Sequence, residues 1–288
     1  VNDIIILDYN QVAISNLMMQ LNREELNEDL VRHQILNSIR SYKQKFSNKY
    51  GEIVIACDDK NYWRKDIFPY YKSHRKKDRD ASTHDWGRIF EILNKIRDEI
   101  RDNFPYKVIQ VSRAEADDII GVIVREHGVY LNNESIERIL ILSGDKDFGQ
   151  LQKYANVDQY SPVLKKWINI SDPRRFLREH IMRGDRGDGI PNFLSEDSCI
   201  INKKRQKPLA SKKVDVWVDE EPEMFCDEIM IRNYKRNEEL IDLEMVPENI
   251  SDMIIEQYQK YEVPKRSGLL NYFIKNRLKY LMDSIGEF

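Results

Sequence analysis

Short apolar, β-branched runs alternate with helically spaced stretches along the first half of the chain. Residues 4–7, 52–57, 106–111 and 137–143 are such runs, and continuous apolar runs of this length read as buried parallel strands. Residues 27–50 carry Leu30, Ile35, Ile39 and Phe46 near helical spacing, and residues 85–101 repeat the pattern, so crossover helices are predicted there. Ser112 followed by Glu115 has capping-box spacing and is expected to open another helix. Residues 157–170, around Ser161 and Pro162, read as short strands at a sheet edge. A helical pattern returns over 174–182, then comes a glycine-rich turn at 184–189 and further helices to the end, punctuated by Pro264 and Gly268. The fold class is α/β: a mainly parallel central sheet flanked by helices over residues 1–170, with a smaller, mostly helical domain over 171–288. Residues 60–83 carry no clean period and are too long for an ordinary connection, which marks a functional excursion.

The acidic residues change this picture most. Nine carboxylates fall in five clusters: Asp8, Asp58, then Glu115, Asp117 and Asp118, then Asp145 and Asp147, then Asp185 and Asp188. Three of the clusters directly follow predicted strands, and ligands of open α/β sheets bind in the crevice beyond the strands' carboxyl ends. Acids gathered there repel by roughly 4 kcal/mol per pair at about 4 Å and an effective dielectric near 20. A cation must offset that, and oxygen donors with almost no nearby His or Cys suit Mg²⁺ or Mn²⁺. The pattern points to metal-dependent phosphoryl transfer, above all a nuclease.

Each cluster also has a plainer reading. A single Asp at a strand end serves equally as a helix cap or turn residue. Acids in a first helical turn complement the helix dipole, although the adjacent Asp117 and Asp118 have poor helix propensity. A bare D-x-D such as Asp145–Asp147 is common, and its weight comes from following I-L-I-L. In G-D-R-G-D-G-I at 184–190 two acids lie between glycines, a turn expected to offer backbone N–H groups to a phosphate while the acids reach metal. His33, His74, His84, His127 and His180 lie in no metal-ligand spacing and are expected on the surface or in the core.

Charge is patterned along the 288 residues although the net value is only −3. Residues 60–79 hold eight basic residues against two acids, and 203–213 hold six with no acid. Within 60–83, Tyr62-Trp63-Arg64-Lys65, Tyr70-Tyr71-Lys72 and His74-Arg75-Lys76-Lys77 interleave aromatic and basic side chains, as single-strand nucleic-acid binders do. The composition, 41% hydrophobic and 33% charged, fits a soluble protein with a highly charged surface. No stretch approaches a membrane span and no signal segment opens the chain. Three separated cysteines without a C-x-x-C pair suggest a reducing, cytosolic setting rather than disulfides or structural zinc. The chain opens on Val1 rather than Met, almost directly into the first strand, so residues upstream of it are expected.

The order Asp8, Asp58, E-A-D-D at 115–118, G-D-K-D at 144–147 and G-D-R-G-D-G-I, with Y-Y-K-S-H-R between them, resembles the 5′ nuclease or flap endonuclease superfamily, and within it the phage branch. The likeness runs almost end to end, through V-R-H-Q-I-L-N-S-I, Y-W-R-K-D, S-P-V-L-K-K-W and S-I-G-E-F. It implies a PIN-like nuclease fold and 5′-to-3′ exonuclease, flap endonuclease and RNase H activity. Such an enzyme removes RNA primers and 5′ flaps during phage DNA replication with two divalent ions, Mg²⁺ or Mn²⁺. Asp8, Asp58, Glu115, Asp117 and Asp145 would serve the first ion, and Asp118, Asp147, Asp185 and Asp188 the second, directly or through water. Lys72 and Arg75 match arch positions that contact the scissile phosphate and, with Asp8, Asp58, Asp117 and Asp145, would form the catalytic set. Tyr71 would stack a base near the cut. Arg64, Lys65, Lys76 and Lys77 belong to the same basic arch at 60–83.

Gly184, Gly187 and Gly189 would lie in a helix–turn–helix element over 174–200 that grips the duplex. After Ile190, however, this chain reads P-N-F-L-S-E-D-S where the family often continues with a second glycine-rich repeat, so any monovalent-ion site there is in question. The resemblance also implies branched DNA, 5′ flaps and RNA–DNA hybrids as substrates. It further implies a phage single-strand-binding protein and a sliding clamp as partners, the clamp-binding segment upstream of Val1. A monomer in the cytoplasm of an infected bacterium is expected, with no membrane contact. Two rivals remain on the residues alone. One is a non-catalytic module that grips branched DNA around a single structural ion. The other, a phosphatase- or topoisomerase-type D-x-D site, expects an early D-x-D-x-[TV] motif that Asp8-Tyr9-Asn10 does not provide.

Overall fold

The computed structural model describes residues 3–21, 25–130 and 137–288, so Val1 and Asn2 lie outside it. Six strands form one sheet: β1 (Ile4–Asp8), β2 (Glu52–Ala56), β3 (Lys107–Ile109), β4 (Ile139–Leu142), β5 (Val157–Ser161) and β6 (Lys166–Ile168). Their order is β3-β2-β1-β4-β5-β6, parallel except for the β5–β6 edge pair. Register aligns Asp8 with Ala56 and Leu7 with Leu142, so the acids following the three central strands emerge level with one another.

Strand periodicity divides the apolar residues between two cores. Ile5, Leu7, Ile53, Ile55, Leu140 and Leu142 face helices α1 (Tyr9–Leu21), α2 (Glu28–Tyr50) and a later helix, while Ile4, Ile6, Val54, Ile139 and Ile141 face the opposite layer. The predicted helix over 27–50 is α2, capped by Asn27 accepting from the Leu30 N–H at 3.0 Å. The sequence pattern did not reveal α1, because Asp8 both ends β1 and caps the helix, accepting from the Gln11 N–H at 3.1 Å. The excursion folds into two short helices, α3 (Arg64–Ile67) and α4 (Ser73–Asp80). Next come α5 (Trp86–Asn103), capped by Asp85, and α6 (Ala116–His127). The α6 capping box is one turn later than the one expected from Ser112: Glu115 is the N-cap and Asp118 its reciprocal partner. Arg113, at φ +68°, turns the chain before the cap and keeps Ser112 out of the helix.

Beyond β6 lie α7 (Pro173–Arg183), α8 (Ser211–Trp217), α9 (Pro222–Phe225), α10 (Glu228–Ile241), α11 (Glu248–Lys260) and α12 (Leu269–Lys275). Their packing departs from a single helical unit over 171–288. Ile181, Met182, Phe193, Val214, Tyr234 and Leu240 make a third core together with Phe68 and Tyr71 of the excursion. From Leu243 onward the chain returns to the sheet, with α11 residues Ile250 and Ile254 on the α6 side and Tyr272, Phe273 and Phe288 on the α2 and α5 side. The second helix expected within 174–200 does not form; residues 190–210 are turns and irregular backbone. Pro191 breaks the register, and the Asn192 side chain accepts from Leu194 N–H and Ser195 Oγ, building a local turn instead. No helix among the described residues is long and apolar enough to cross a membrane.

Candidate metal centre

Asp8, Asp58, Asp117, Asp145, Asp147, Asp185 and Asp188 all line one open cavity of about 1190 Å³, with Lys72 and Arg75 of the excursion on its wall. Seven of the nine acids expected at the metals therefore converge, although they are spread over 181 positions of chain from Asp8 to Asp188, both ends counted.

Neighbouring groups hydrogen-bond to these side chains. Asp8 accepts from Gln11 N–H and Ser143 Oγ, each at 3.1 Å. Asp58 accepts from the α6 N–H of Ala116 at 2.6 Å and from Asn10. Asp145 caps its own turn by accepting from Asp147 N–H at 3.0 Å. Burial, then Asp58 and Asp145, push the Asp8 carboxyl up to about 7. Burial and Glu115 raise Asp58, and burial with Asp145 raises Asp117. Asp147 also rises to about 7, through burial and the charges of Asp145, Asp185 and Asp188, against His180. Elevation by burial together with neighbouring like charge, only partly offset by Lys72 at Asp58 and Asp117, is typical of carboxylates at functional sites. Asp185 goes the other way: burial raises it, but hydrogen bonds from His180 and Lys146 outweigh that and leave it low.

The donor set fits divalent cations. Asp8, Asp58, Asp117 and Asp145 offer carboxylate oxygens, the ligands hard cations take. At the second group Asp147 Oδ1 is buried without a hydrogen-bond partner among the described residues.

Two of the nine acids do not reach the cavity. Asp118 is fully buried and turned away, accepting from Trp63 Nε1 at 3.1 Å and Glu115 N–H at 2.8 Å, with Arg64 Nη1 at 2.7 Å. Both hydrogen bonds fall on Oδ2 and the Arg64 ion pair on Oδ1, which holds the side chain away from the cavity and from the second-ion role expected of it. Glu115 is likewise enclosed: Arg64 Nη1 at 3.0 Å, Tyr71 OH at 2.8 Å and Lys72 Nζ at 2.5 Å converge on its carboxylate.

The nucleic-acid residues need similar correction. Arg64 was expected on the arch surface, yet it is 2% exposed and clasps Glu115, Asp118 and the Leu240 carbonyl. Tyr71, expected to stack a base, is buried and donates toward Glu115 and Asp188. Lys72 and Arg75 do face the cavity, paired with Glu115 and Asp188. Lys65, Lys76 and Lys77 are exposed. The glycine turn does not present free donors, because the N–H groups of Gly184, Gly187 and Gly189 bond to His180 O, Asp185 Oδ1 and Arg186 O. Gly184 is required structurally: at φ +65° a Cβ would lie 2.4 Å from the Pro191 carbonyl.

Four contributors escaped the sequence reading. Lys146, within the D-K-D turn, lies 2.7 Å from Asp185. Asn10 and Gln11 follow Asp8 and brace Asp58 and the Gly144 N–H. His180, expected to be surface or core, lies between Asp147 and Asp185; its place five positions ahead of Asp185, across the end of α7, was the available signal.

A parallel sheet whose strand ends carry these acids into one cavity defines a metal-dependent nuclease. Residues 9–180 match the N-terminal resolvase-like domain of 5′-3′ exonucleases, and residues 177–288 match the C-terminal domain of T4 RNase H. The chain belongs to this 5′-3′ exonuclease and flap endonuclease family, as a T4 RNase H-like member. It is 34% identical to Ribonuclease H of Enterobacteria phage T4, over 99% of its own length and 95% of the relative's. It is also 29% identical to a 5′-3′ exonuclease of Buchnera aphidicola over 54% of this chain and 53% of that one. The fold matches a bacteriophage T5 flap endonuclease solved with DNA and metal ions, at TM-score 0.62 and 17% identity, covering 89% of this chain and 99% of that one. A T5 protein crystallised with metal ions matches at TM-score 0.61 and 16% identity, over 90% and 99% of the two chains. Membership of an enzyme family sets aside the rival reading of a module that binds without cutting.

Proposed function

We propose that this chain hydrolyses phosphodiester bonds near the 5′ ends of branched DNA and RNA–DNA hybrids, using two divalent ions, Mg²⁺ or Mn²⁺. The observation that carries this is the convergence of seven carboxylates in one cavity beside a basic excursion. Asp8, Asp58, Asp117 and Asp145 would hold one ion, and Asp147, Asp185 and Asp188 the other. When bound, such a pair activates water and neutralises the leaving oxygen.

The protein's own groups prepare that chemistry. Lys72 and Arg75 carry positive charge to the cavity, where exchanging Asp188 for a phosphate oxygen would position the scissile group. Glu115 acts through Lys72, fixing its ammonium against the cavity wall rather than touching an ion. Lys65, Lys76 and Lys77 would follow the strand's phosphates. A second groove of about 660 Å³, lined by His74, Arg186, Lys203, Lys204 and Arg205, offers the sequence-independent grip a duplex needs. We divide the molecule accordingly into a nuclease body, residues 3–170 with 243–288, and a helical unit, residues 173–241, that carries this groove's Lys203–Arg205 wall.

The test is a labelled 5′-flap and an RNA–DNA hybrid incubated with Mg²⁺ or with chelator, using wild type and Asp117→Asn. Short 5′ products that need both the metal and Asp117 are expected. Metal-dependent cleavage by Asp117→Asn at the wild-type rate would overturn the assignment of the first ion site.

A further inference from the structure

Resting on the reading that a second ion binds beside Asp147 and Asp185, we propose that His180 is a nitrogen ligand of that ion. The site would then be mixed in donors, and would favour ions that accept imidazole, such as Mn²⁺, Co²⁺ and Zn²⁺, over Mg²⁺.

His180 lies in the last turn of α7, 7% exposed, and its ring is held from one side. Nε2 is 3.1 Å from Asp185 Oδ2 and 3.3 Å from Lys146 Nζ, whose ammonium also lies 2.7 Å from that Asp185 oxygen. Of the two neutral tautomers, the one that donates Nε2–H to Asp185 leaves Nδ1 with the bare lone pair, and that is the form a cation at Nδ1 selects. Metal-binding histidines are oriented in this way, by a carboxylate on the ring nitrogen that does not ligate. Asp185 is itself fixed, since its Oδ1 accepts from the N–H groups of Gly187 and Asp188 at 2.7 and 3.2 Å.

Nδ1 faces Asp147 Oδ1 at 3.5 Å. Both atoms are buried, and neither has a hydrogen-bond partner among the described residues. In that tautomer a lone pair faces a carboxylate oxygen, which is unfavourable without a proton or a cation between them, and buried polar groups without partners call for an explanation. A shared cation supplies one. Two ligand atoms each about 2.1 Å from a tetrahedral ion lie about 3.4 Å apart, close to the spacing seen here. Donor atoms of Asp147, His180 and Asp185 all fall within 4.8 Å of one another. Lys146, 59% exposed, places its ammonium against Asp185 and can swing outward as a metal charge arrives. Imidazole suits Zn²⁺, and Mn²⁺ accepts it beside its preferred carboxylates, whereas Mg²⁺ keeps to oxygen and gives up its water reluctantly.

The test uses the full chain stripped of metal and titrated with MnCl₂ alone. Bound Mn²⁺ is counted by electron paramagnetic resonance, and nitrogen coupling is read by the pulsed version of the method. Two bound Mn²⁺ are expected, one with imidazole nitrogen coupling. His180→Gln should abolish that coupling and weaken one Mn²⁺ by about tenfold or more, while Mg²⁺ competition stays within about twofold of wild type. Two bound ions without nitrogen coupling in the wild-type protein would overturn the proposal, and that result needs no variant to fold. Equal loss of Mn²⁺ and Mg²⁺ affinity in His180→Gln would overturn the selectivity. A single bound ion, unchanged by Asp147→Asn, would instead remove the two-ion reading on which the proposal rests.

Discussion

Arg64 and Lys65 are adjacent, and the sequence pattern assigns both to phosphate binding, yet the structure predicts opposite consequences for removing them. Arg64→Met leaves two buried carboxylates without their shared guanidinium, at 3.0 Å from Glu115 and 2.7 Å from Asp118, and strips the Leu240 carbonyl of its 2.8 Å donor. Glu115 and Asp118 are 2% and 0% exposed, so water cannot replace the lost partner. Breaking a buried pair from one side costs about 3–5 kcal/mol. For a chain of this size that is a fall in Tm on the order of 10 °C. Lys65 is exposed, with its ammonium over the Tyr62 ring at 4.8 Å. Lys65→Ala should leave Tm unchanged and instead weaken DNA binding, flattening the slope of log affinity against log salt by about one contact's worth.

The assay pairs thermal unfolding in chelator with DNA binding at several salt concentrations, on both variants. The salt slope separates the two roles, because an Arg64 variant with a loosened excursion binds DNA less well without losing a phosphate contact. An Arg64→Met protein that melts with wild type and shows a shallower salt dependence would put the guanidinium on a phosphate and refute the buried clasp.

Gly184→Ala, forced to φ +65° with its Cβ against the Pro191 carbonyl, should lower Tm by several degrees without altering the salt slope; an unchanged Tm would return the glycine to a binding role. Asp117→Asn removes one of several crowded like charges, so in chelator it should melt above wild type while losing cleavage, read by parallel melts and flap assays. Adding Mg²⁺ to the metal-free chain should raise Tm, since ions at about 100 times Kd add about 2.7 kcal/mol; this gain should shrink in Asp145→Asn, read by scanning calorimetry. Glu244 is held below its usual value because Lys153 outweighs the effect of burial, so its contribution is present above about pH 4.5 and is lost as pH falls through the lower folded value. With Glu244 41% exposed, screening limits the effect to at most about 1 kcal/mol. Glu244→Gln should therefore unfold more easily than wild type at pH 7 and match it near pH 3 in urea melts.

The parallel core was legible because its strands are buried on both faces, which leaves uninterrupted apolar runs such as I-I-I-L and I-L-I-L. The converging acids were legible for the same reason, since a parallel sheet sends every strand end to one edge. Inward- and outward-facing groups within the excursion were not. Residues 60–83 have no period because Arg64 and Tyr71 point into the protein among polar partners, while Lys65, Lys76 and Lys77 point out. Composition cannot separate an arginine that binds phosphate from one that binds buried Glu115. The later capping box and the absent second helix follow from turns, at Arg113 and Pro191, whose effect depends on contacts made elsewhere. His180 was missed because only its spacing from Asp185 hints at it; its partner Asp147 is 33 positions away in sequence, brought near by the packing of α7 on the turn after β4.

The two groups of acids come from different parts of the fold, so something must set their separation, and Lys72 is placed to do it beside Tyr71, whose hydroxyl also reaches Glu115 and Asp188. Its backbone N–H donates to the Asp188 carbonyl at 2.7 Å, while its ammonium lies 2.5 Å from Glu115 and 3.5 Å from the Asp188 carboxylate. One residue thus ties the start of α6, which carries Asp117, to the turn that carries Asp185 and Asp188. It does so at φ +52°, a left-handed conformation that costs a non-glycine residue of order 1 kcal/mol and persists only where surrounding contacts enforce it. Removing the side chain alone, as in Lys72→Met, keeps the backbone tie but removes the ammonium's hold on Glu115 and Asp188, whereas Lys72→Gly relaxes the strained conformation as well. If Lys72 serves only to neutralise phosphate, both variants should lose the same catalytic rate and bind two ions as wild type does. If it sets the spacing of the centre, Lys72→Gly should also weaken binding of the second ion, and the difference between the two variants isolates the geometric share of its role.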